Sequence, residues 1–174
     1  MGKRSDFERR DRDFYPTPVE PVLKLKPWLR PGDRFAEPCV GEGDLRRHLT
    51  EHLGMVCVWA SDLPLDARNL PALATVDADY IVTNPPWPAI GQRGEPTVEI
   101  IRTCMAFRMS WFLLSADFAH NAYFRPIEKH CRRIVSVGRV QWIPDSSMTG
   151  KDNCAWYLFS ERHTEGPRFH NMEG

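Results

Sequence analysis

The tetrapeptide Asn84-Pro85-Pro86-Trp87 constrains the fold of this chain more than any other segment, because it follows the β-branched and aromatic run Tyr80 to Thr83. Such a run is typical of a buried parallel strand. Neither proline has a backbone N–H to donate, and the residue before each proline is held in an extended conformation. The strand must therefore end at Asn84, and the sequence predicts a rigid corner at its carboxyl end.

This corner presents groups that suit a planar amine. The side-chain oxygen of Asn84 and the carbonyl oxygen of Pro85 can accept the two hydrogens of an exocyclic amino group, which aims the nitrogen lone pair at an electrophile. The indole of Trp87 can stack on a base for roughly 1–3 kcal/mol, which offsets much of the cost of base flipping. Asn-Pro-Pro turns also occur as plain strand ends, and this alternative stays open here.

The motif resembles the Asn/Asp-Pro-Pro-aromatic signature of methyltransferases that act on amino groups, above all the adenine-N6 DNA methyltransferases. The resemblance extends over Phe14 to Phe159 and is closest in plan to small phage-type enzymes. It implies that S-adenosyl-L-methionine is the cofactor and that Asn84, Pro85, Pro86 and Trp87 are catalytic, with Asn84 also beside the cofactor and Trp87 also on the target base.

A second motif lies between a predicted strand, Arg34 to Glu37, and a predicted helix. It reads Glu37-Pro38-Cys39-Val40-Gly41-Glu42-Gly43-Asp44-Leu45, and Leu45, Leu49 and Leu53 then share one helix face before Gly54. Glycines at such a turn let a ligand approach the backbone. The order of features resembles the first motif of S-adenosylmethionine enzymes rather than a dinucleotide fingerprint or a phosphate loop. It implies cofactor contacts for Glu37, Pro38, Gly41 and Gly43, with Glu37 available to the cofactor's ammonium group.

Acidic residues follow the second predicted strand, Met55 to Ala60. Asp62 stands about 20 residues beyond the glycine loop, where a carboxylate can accept both ribose hydroxyls. Its alternative is a turn or N-cap aspartate next to Pro64. The resemblance assigns Asp66, less firmly, to the cofactor adenine, and an exposed loop aspartate is the alternative.

The segment Tyr15-Pro16-Thr17-Pro18 allows two compatible interpretations. Thr17 can N-cap a helix, with Pro18 at its first position and Glu20 completing a capping box. The segment also resembles the aromatic-x-Thr-Pro stretch that closes over the methionine end of the cofactor in amino-methyltransferases. That resemblance assigns Tyr15, Thr17 and Pro18 to cofactor binding.

Four elements are predicted in the second half of the chain. They are a strand at Trp111 to Ser115, a helix kinked at Pro126, a strand at Ile134 to Ile143 with a turn at Gly138, and a final strand at Cys154 to Phe159. In the family the last two strands form a hairpin whose loop borders the target base. The substrate candidates in that region are therefore Lys151, Asp152, Asn153 and Trp156, and ordinary hairpin residues are the alternative.

Composition limits the classes of protein. Hydrophobic content of 42% is globular, and the absence of a signal peptide or of a run near ~20 apolar residues predicts a cytoplasmic protein. Five scattered cysteines favour reduced thiols and no metal site. A net charge of zero argues against a strongly basic nucleic-acid wrapper. One basic stretch is interpreted as a solvated helix face in preference to a phosphate-binding patch: Arg125, Lys129, Arg132, Arg133 and Arg139, opposed only by Glu128.

Together these features predict an α/β, Rossmann-like class I methyltransferase, with a mostly parallel seven-stranded sheet, an antiparallel C-terminal hairpin and helices on both faces. The expected organisation is an arm at 1–13, the methyltransferase domain at 14–160 and a tail at 161–174. The expected activity is methylation of adenine N6 in DNA. Adenine in structured RNA, a protein glutamine amide and a non-catalytic cofactor-binding module are the alternatives. No target-recognition domain is evident, so we expect the enzyme to recognise a very short nucleic-acid site, to methylate with little sequence selectivity, or to depend on a partner protein for recognition. Whether the chain forms a homodimer stays open.

Overall fold

The computed structural model describes residues 16–62, 71–87, 95–143, 150 and 152–171. Seven strands form one sheet, and all run parallel except β6, which is antiparallel to both neighbours. The strands are β1 (Arg34–Glu37), β2 (Val56–Ala60), β3 (Tyr80–Thr83), β4 (Met109–Ser115), β5 (Cys131–Arg139), β6 (Asn153–Phe159) and β7 (Arg168–His170). Their spatial order is β2-β1-β3-β4-β6-β5-β7.

Helices cover both faces of this sheet. The helices are α1 (Val19–Leu23), α2 (Asp44–Leu53), α3 (Pro71–Thr75), α4 (Glu95–Phe107) and α5 (Arg125–Glu128), with 3-10 segments at Ala116–His120 and Ala122–Phe124. On β4, Trp111 and Leu113 pack on the α1 and α2 side, whereas Phe112 and Leu114 pack on the side of the other helices. This alternation follows from the period of two in a strand. In the part of the chain that the structure describes, no helix is long and apolar enough to cross a membrane.

Helix α2 opens directly after the glycine loop, as the sequence predicts. Leu45, Leu49 and Leu53 are buried on one face, as the sequence predicts. The helix ends at Gly54, whose φ of 68° lies in the left-handed region that favours glycine.

The order in which the chain adds strands to the sheet reverses at β1. The chain leaves β1 through α2 to reach β2 on one side, and then returns through α3 to β3 on the other side of β1. In parallel α/β sheets, ligands bind outside the carboxyl ends of the strands at such a switch point. The glycine loop follows β1 and the Asn-Pro-Pro-Trp corner follows β3, so the two motifs flank it.

The C-terminal segment differs from the predicted tail. Residues 168–170 form β7, which pairs in parallel with β5 and supplies the seventh strand. Backbone hydrogen bonds also tie Ser160 to His130 and Gly166 to Lys129. This strand carries no local signal, because it has three residues and its Phe169 is 66% exposed.

Three local predictions also need correction. Helix α1 is N-capped by Pro18 without a side-chain hydrogen bond, so Thr17 does not form the predicted capping box. Pro126 stands in the first turn of α5, where a proline is tolerated, and does not kink a longer helix. Gly138, with a φ of 87°, lies at a shift of register inside β5 and not at a turn between two strands.

Candidate functional site

The glycine loop and the end of β2 are joined to each other. Cys39 forms an isolated antiparallel bridge with Asp62, and the backbone N–H of Gly41 donates to Oδ1 of Asp62 at 3.4 Å. The Asp62 side chain is exposed. The structure therefore brings the predicted ribose ligand to the predicted glycine loop.

Position 43 favours a glycine for two reasons. It is the N-cap of α2 with a φ of 88°, and an added Cβ would lie 3.2 Å from the Arg46 guanidinium. A side chain there would be strained and would press on the Arg46 side chain. The Arg46 guanidinium therefore lies beside Gly43 at the N-terminus of α2.

Glu37 lies beneath this loop, not at its surface. Its residue is 1% exposed, and its carboxyl group accepts a hydrogen bond from the backbone N–H of Arg46 while Oε2 is buried without a partner. Burial raises the pKa of Glu37 to about 9, although the charge and the backbone N–H of Arg46 oppose the shift. The raised pKa of Glu37 favours the neutral form of its carboxyl group near pH 7. A contact between Glu37 and the cofactor stays a prediction.

Asn84 is held by a residue from the N-terminal segment. Its Nδ2 donates to the hydroxyl oxygen of Thr17 at 3.2 Å, and its Oδ1 is buried without a hydrogen-bond partner. Leaving such an acceptor unpaired costs about 1–3 kcal/mol. Among the described residues, no backbone N–H donates to the neighbouring carbonyl of Pro85. The corner therefore carries two acceptor oxygens that internal backbone contacts do not use.

Trp87 belongs to a pair of indoles. Its Nε1 donates to the carbonyl oxygen of Leu113 at 3.2 Å, which fixes the ring at the end of β4. The ring of Trp142 meets it edge to face, with centroids 5.7 Å apart and an interplanar angle of 85°. An added Cβ at Gly150 would lie 3.1 Å from the Trp142 ring, so Gly150 leaves room for it. Sequence reasoning missed Trp142, although an aromatic residue just before a polar loop was a usable signal.

The two loops leave neighbouring strands at the same edge of the sheet. Phe35 pairs with Tyr80 and Ala36 with Ile81, so β1 and β3 end side by side at a spacing of about 4.8 Å. The thiol of Cys39 lies beside the hydroxyl of Thr83, one residue before Asn84. The glycine loop and the Asn-Pro-Pro-Trp corner are hence adjacent.

The hairpin candidates divide into two groups. Asn153 is exposed at the first residue of β6, and the next residue pairs with Ser115 at the end of β4, so Asn153 lies at the same edge of the sheet as Asn84. Trp156 cannot contact a substrate, because it is fully buried and its Nε1 donates to the carbonyl oxygen of Pro21 at 2.8 Å.

Three further candidates, Tyr15, Asp66 and Lys151, lie outside the described residues.

The basic stretch does not form a single patch. Arg132 and Arg139 stand near opposite ends of β5, about 20 Å apart at the rise of a strand. Arg133 is engaged elsewhere, since its guanidinium lies 4.4 Å from the centre of the Trp28 ring. The prediction of one solvated helix face is wrong, because three of the five basic residues stand on strand β5.

A group of potential metal ligands is found on the outer face of α2. The ligand atoms of His48, Glu51 and His52 lie within 4.8 Å of one another. They follow the glycine loop by one turn of helix or more, and His48 is partly buried whereas Glu51 and His52 are exposed. The prediction that the chemistry needs no metal remains a prediction.

Comparisons with known proteins find likeness at the level of structure. No family model and no curated protein matches the sequence. A protein-(glutamine-N5) methyltransferase (release factor-specific) from Alicyclobacillus acidocaldarius superposes with a TM-score of 0.50 and 18% identity, over 82% of this chain and 89% of that one. A structure from Pyrococcus horikoshii that carries an RNA methyltransferase assignment superposes with a TM-score of 0.50 and 17% identity, over 84% and 86% of the two chains.

At this level of identity the likeness concerns the fold. The chain has the Rossmann-like class I methyltransferase fold, with a mostly parallel seven-stranded sheet, an antiparallel hairpin and helices on both faces. The fold class that the sequence predicts is confirmed.

Proposed function

We propose that this chain is an S-adenosylmethionine-dependent methyltransferase and that its acceptor is the N6 amino group of adenine in DNA. The observation that carries the proposal is the buried, unpartnered Oδ1 of Asn84 at the carboxyl end of β3, beside the glycine loop. A buried acceptor without a donor needs an explanation in a native protein. The amino group of a bound substrate supplies that donor.

The residues present fit the cofactor. Gly41 and Gly43, with φ angles of 50° and 88°, form the turn between β1 and the N-terminus of α2, where a ligand can approach the backbone. Asp62 is exposed at the end of β2 and available to the ribose hydroxyls. When bound, S-adenosylmethionine supplies an electrophilic methyl group on a sulfonium centre.

The acceptor amine is activated by this chain's own residues. Asn84 Oδ1 and the Pro85 carbonyl oxygen accept the two amino hydrogens, which favours a pyramidal nitrogen and directs its lone pair toward the methyl group. Trp87 holds the base by stacking, and Trp142 braces Trp87. Two indoles at this point favour a flat heteroaromatic acceptor over an aliphatic amide.

Two other acceptors share the same chemistry. One solved neighbour is a glutamine-N5 protein methyltransferase and another carries an RNA methyltransferase assignment, so a glutamine amide and adenine in structured RNA are the alternatives. Each offers a planar amino group with two hydrogens. The identity of the acceptor therefore has to be measured.

The test is one assay with three acceptors. The protein is incubated with methyl-labelled S-adenosylmethionine and, separately, with unmethylated DNA, an RNA transcript of the same sequence and a glutamine-containing release-factor peptide. We expect N6-methyladenine in the DNA digest by mass spectrometry, formed about 10²–10³ times more slowly by the Asn84→Ala variant. Label in RNA or peptide alone reassigns the acceptor. If calorimetry shows that S-adenosylmethionine binds but no acceptor is methylated, the chain is a cofactor-binding module. If S-adenosylmethionine does not bind, the proposal is wrong.

A further inference from the structure

The group of potential metal ligands on helix α2 has a defined spacing. Its members are His48, Glu51 and His52, so the two histidines are four residues apart and the glutamate comes three residues after the first. Residues three and four apart are neighbours on a helix surface. The order His-x-x-Glu-His is also one in which zinc enzymes place two histidine ligands on one helix. The segment therefore combines residue types and a spacing that suit a transition-metal ion.

The three side chains are not engaged by the rest of the described chain. Nδ1 of His48 is buried without a hydrogen-bond partner, and the side chains of Glu51 and His52 form no hydrogen bond or ion pair with another described residue. The contact that joins the histidines is between their rings, whose centroids lie 5.5 Å apart. Converging polar atoms without partners need an explanation, and a shared cation supplies one.

The distances fit a metal ion after a small movement of side chains. The candidate ligand atoms lie within 4.8 Å of one another, whereas neighbouring ligand atoms around a tetrahedral zinc ion with bonds of about 2.0–2.1 Å are about 3.3 Å apart. Glu51 and His52 are exposed, so rotation about their side-chain bonds can close this difference. The backbone that carries them is held in place, because Leu49 and Leu53 of the same helix are buried.

The position in the helix also favours a cation. His52 lies in the last turn of α2, where the carbonyl groups carry the partial negative charge of the helix dipole. Glu51 adds a full negative charge. The positive charge of Arg47 lies near His48, but Arg47 is paired with Asp44. The local electrostatics thus support a bound cation.

We propose that His48, Glu51 and His52 form a binding site for Zn²⁺ in the C-terminal half of α2, with water in the fourth position. Two imidazoles and one carboxylate suit zinc, whereas Mg²⁺ and Ca²⁺ prefer oxygen ligands alone. The ion joins two successive turns of the helix and stabilises the folded chain, because the unfolded chain does not hold these ligands together. The inference goes beyond the proposed methyl transfer and does not depend on it.

The first test is calorimetric titration of the chelator-treated chain with zinc chloride. We expect one ion per chain with a Kd in the micromolar range, since no described residue forms the outer hydrogen bond that usually supports a histidine ligand. His48→Gln and His52→Gln should each weaken binding at least tenfold, because a ligand is lost. Magnesium chloride should give no heat of binding.

The matched control is His120→Gln, because His120 is an exposed histidine in a 3-10 segment. This variant should bind zinc with the Kd of the wild type. No binding to the wild type at millimolar zinc, or a Kd that is unchanged in His48→Gln and His52→Gln, would overturn the inference.

The second test separates this site from the cysteines. Co²⁺ in place of Zn²⁺ reports its ligands through its absorption spectrum, because a thiolate adds a strong charge-transfer band that nitrogen and oxygen ligands lack. We expect visible bands without that charge-transfer band, and their loss in His48→Gln. A charge-transfer band that persists in His48→Gln would assign the ion to thiols such as the partly buried Cys39 and Cys57 and contradict the proposed site.

The third test concerns the carboxylate and the stability. Glu51→Gln keeps the shape and removes the charge, so the Kd for zinc should rise about tenfold, and an unchanged Kd would contradict a site of three ligands. Zinc at about 100 times its Kd should raise the melting temperature by about 5–10 °C in the wild type and in His120→Gln. The same rise in His48→Gln would place the stabilising ion elsewhere and overturn the inference. Thermal unfolding without zinc establishes that each variant is folded.

Discussion

The rings of Trp87 and Trp142 meet edge to face at 85°, with their centroids 5.7 Å apart. Edge-to-face contacts of this kind stabilise a pair of aromatic rings beyond the area they bury, by about 0.5–1.5 kcal/mol. Trp87 is further fixed by the hydrogen bond from its Nε1 to Leu113. Trp142 therefore supports the ring on which the proposed base stacks.

Replacing Trp142 should weaken acceptor binding selectively. Removal of one supporting indole in Trp142→Ala should raise the KM for nucleic acid severalfold, since the edge-to-face contact that holds Trp87 is worth about 0.5–1.5 kcal/mol. The cofactor Kd should not change. Trp28→Ala is the matched control, because Trp28 packs on His170 in the edge strand β7. Equal effects of the two variants on KM would show that Trp142 has no particular role at the site.

The buried indole of Trp156 predicts a measurable anchor for α1. Trp156→Phe should lower the free energy of unfolding by about 0.5–1.5 kcal/mol more than the ring area alone explains, because one hydrogen bond is lost while the Pro21 carbonyl keeps the backbone N–H of Lys24. Trp111→Phe is a close control, since Trp111 is equally buried in the same core and its Nε1 has no partner. Urea denaturation of both variants gives the comparison, and equal losses would contradict an anchoring hydrogen bond.

The sequence predicted what depends on local pattern. The bounds of β1, β3 and α2 follow from apolar runs, prolines and a terminal glycine, and these signals lie within each element. The partner of Thr17 lies 67 residues away, so local pattern predicted a capping box that the tertiary fold overrides. Strand β7 was missed for the same reason, because it forms only through pairing with the distant strand β5. Trp142 precedes a polar loop, but its contact with Trp87 is not visible in the local pattern.

Replacing Asn84 with alanine should lower the activity strongly and change the stability little. Asn84→Ala removes an amide oxygen that is buried without a partner, and this relief offsets the loss of the single bond to Thr17. We expect a melting temperature within a few degrees of the wild type and a fall in kcat of about 10²–10³, the effect of removing one preorganised polar group. A variant that keeps full activity would refute the catalytic role of Asn84.

The raised pKa of Glu37 predicts that the stability of the fold decreases as the pH rises. Burial raises the pKa of Glu37 to about 9 in the folded chain, against the ordinary glutamate pKa of 4.5 that applies when the chain is unfolded. Below pH about 4.5 the carboxyl group is neutral in both states, and its contribution is fully present. As the pH rises toward 9, the unfolded chain ionises first, so the contribution is lost at up to about 1.4 kcal/mol per pH unit.

The substitution Glu37→Gln isolates this contribution, because glutamine keeps the shape and cannot ionise. It also keeps an oxygen that can accept from the backbone N–H of Arg46. Urea denaturation at pH 5, 6, 7 and 8 should therefore show the variant gaining stability relative to the wild type as the pH rises. Parallel profiles would mean that Glu37 is already ionised in the folded chain, with Oε2 satisfied by a partner that compensates its burial.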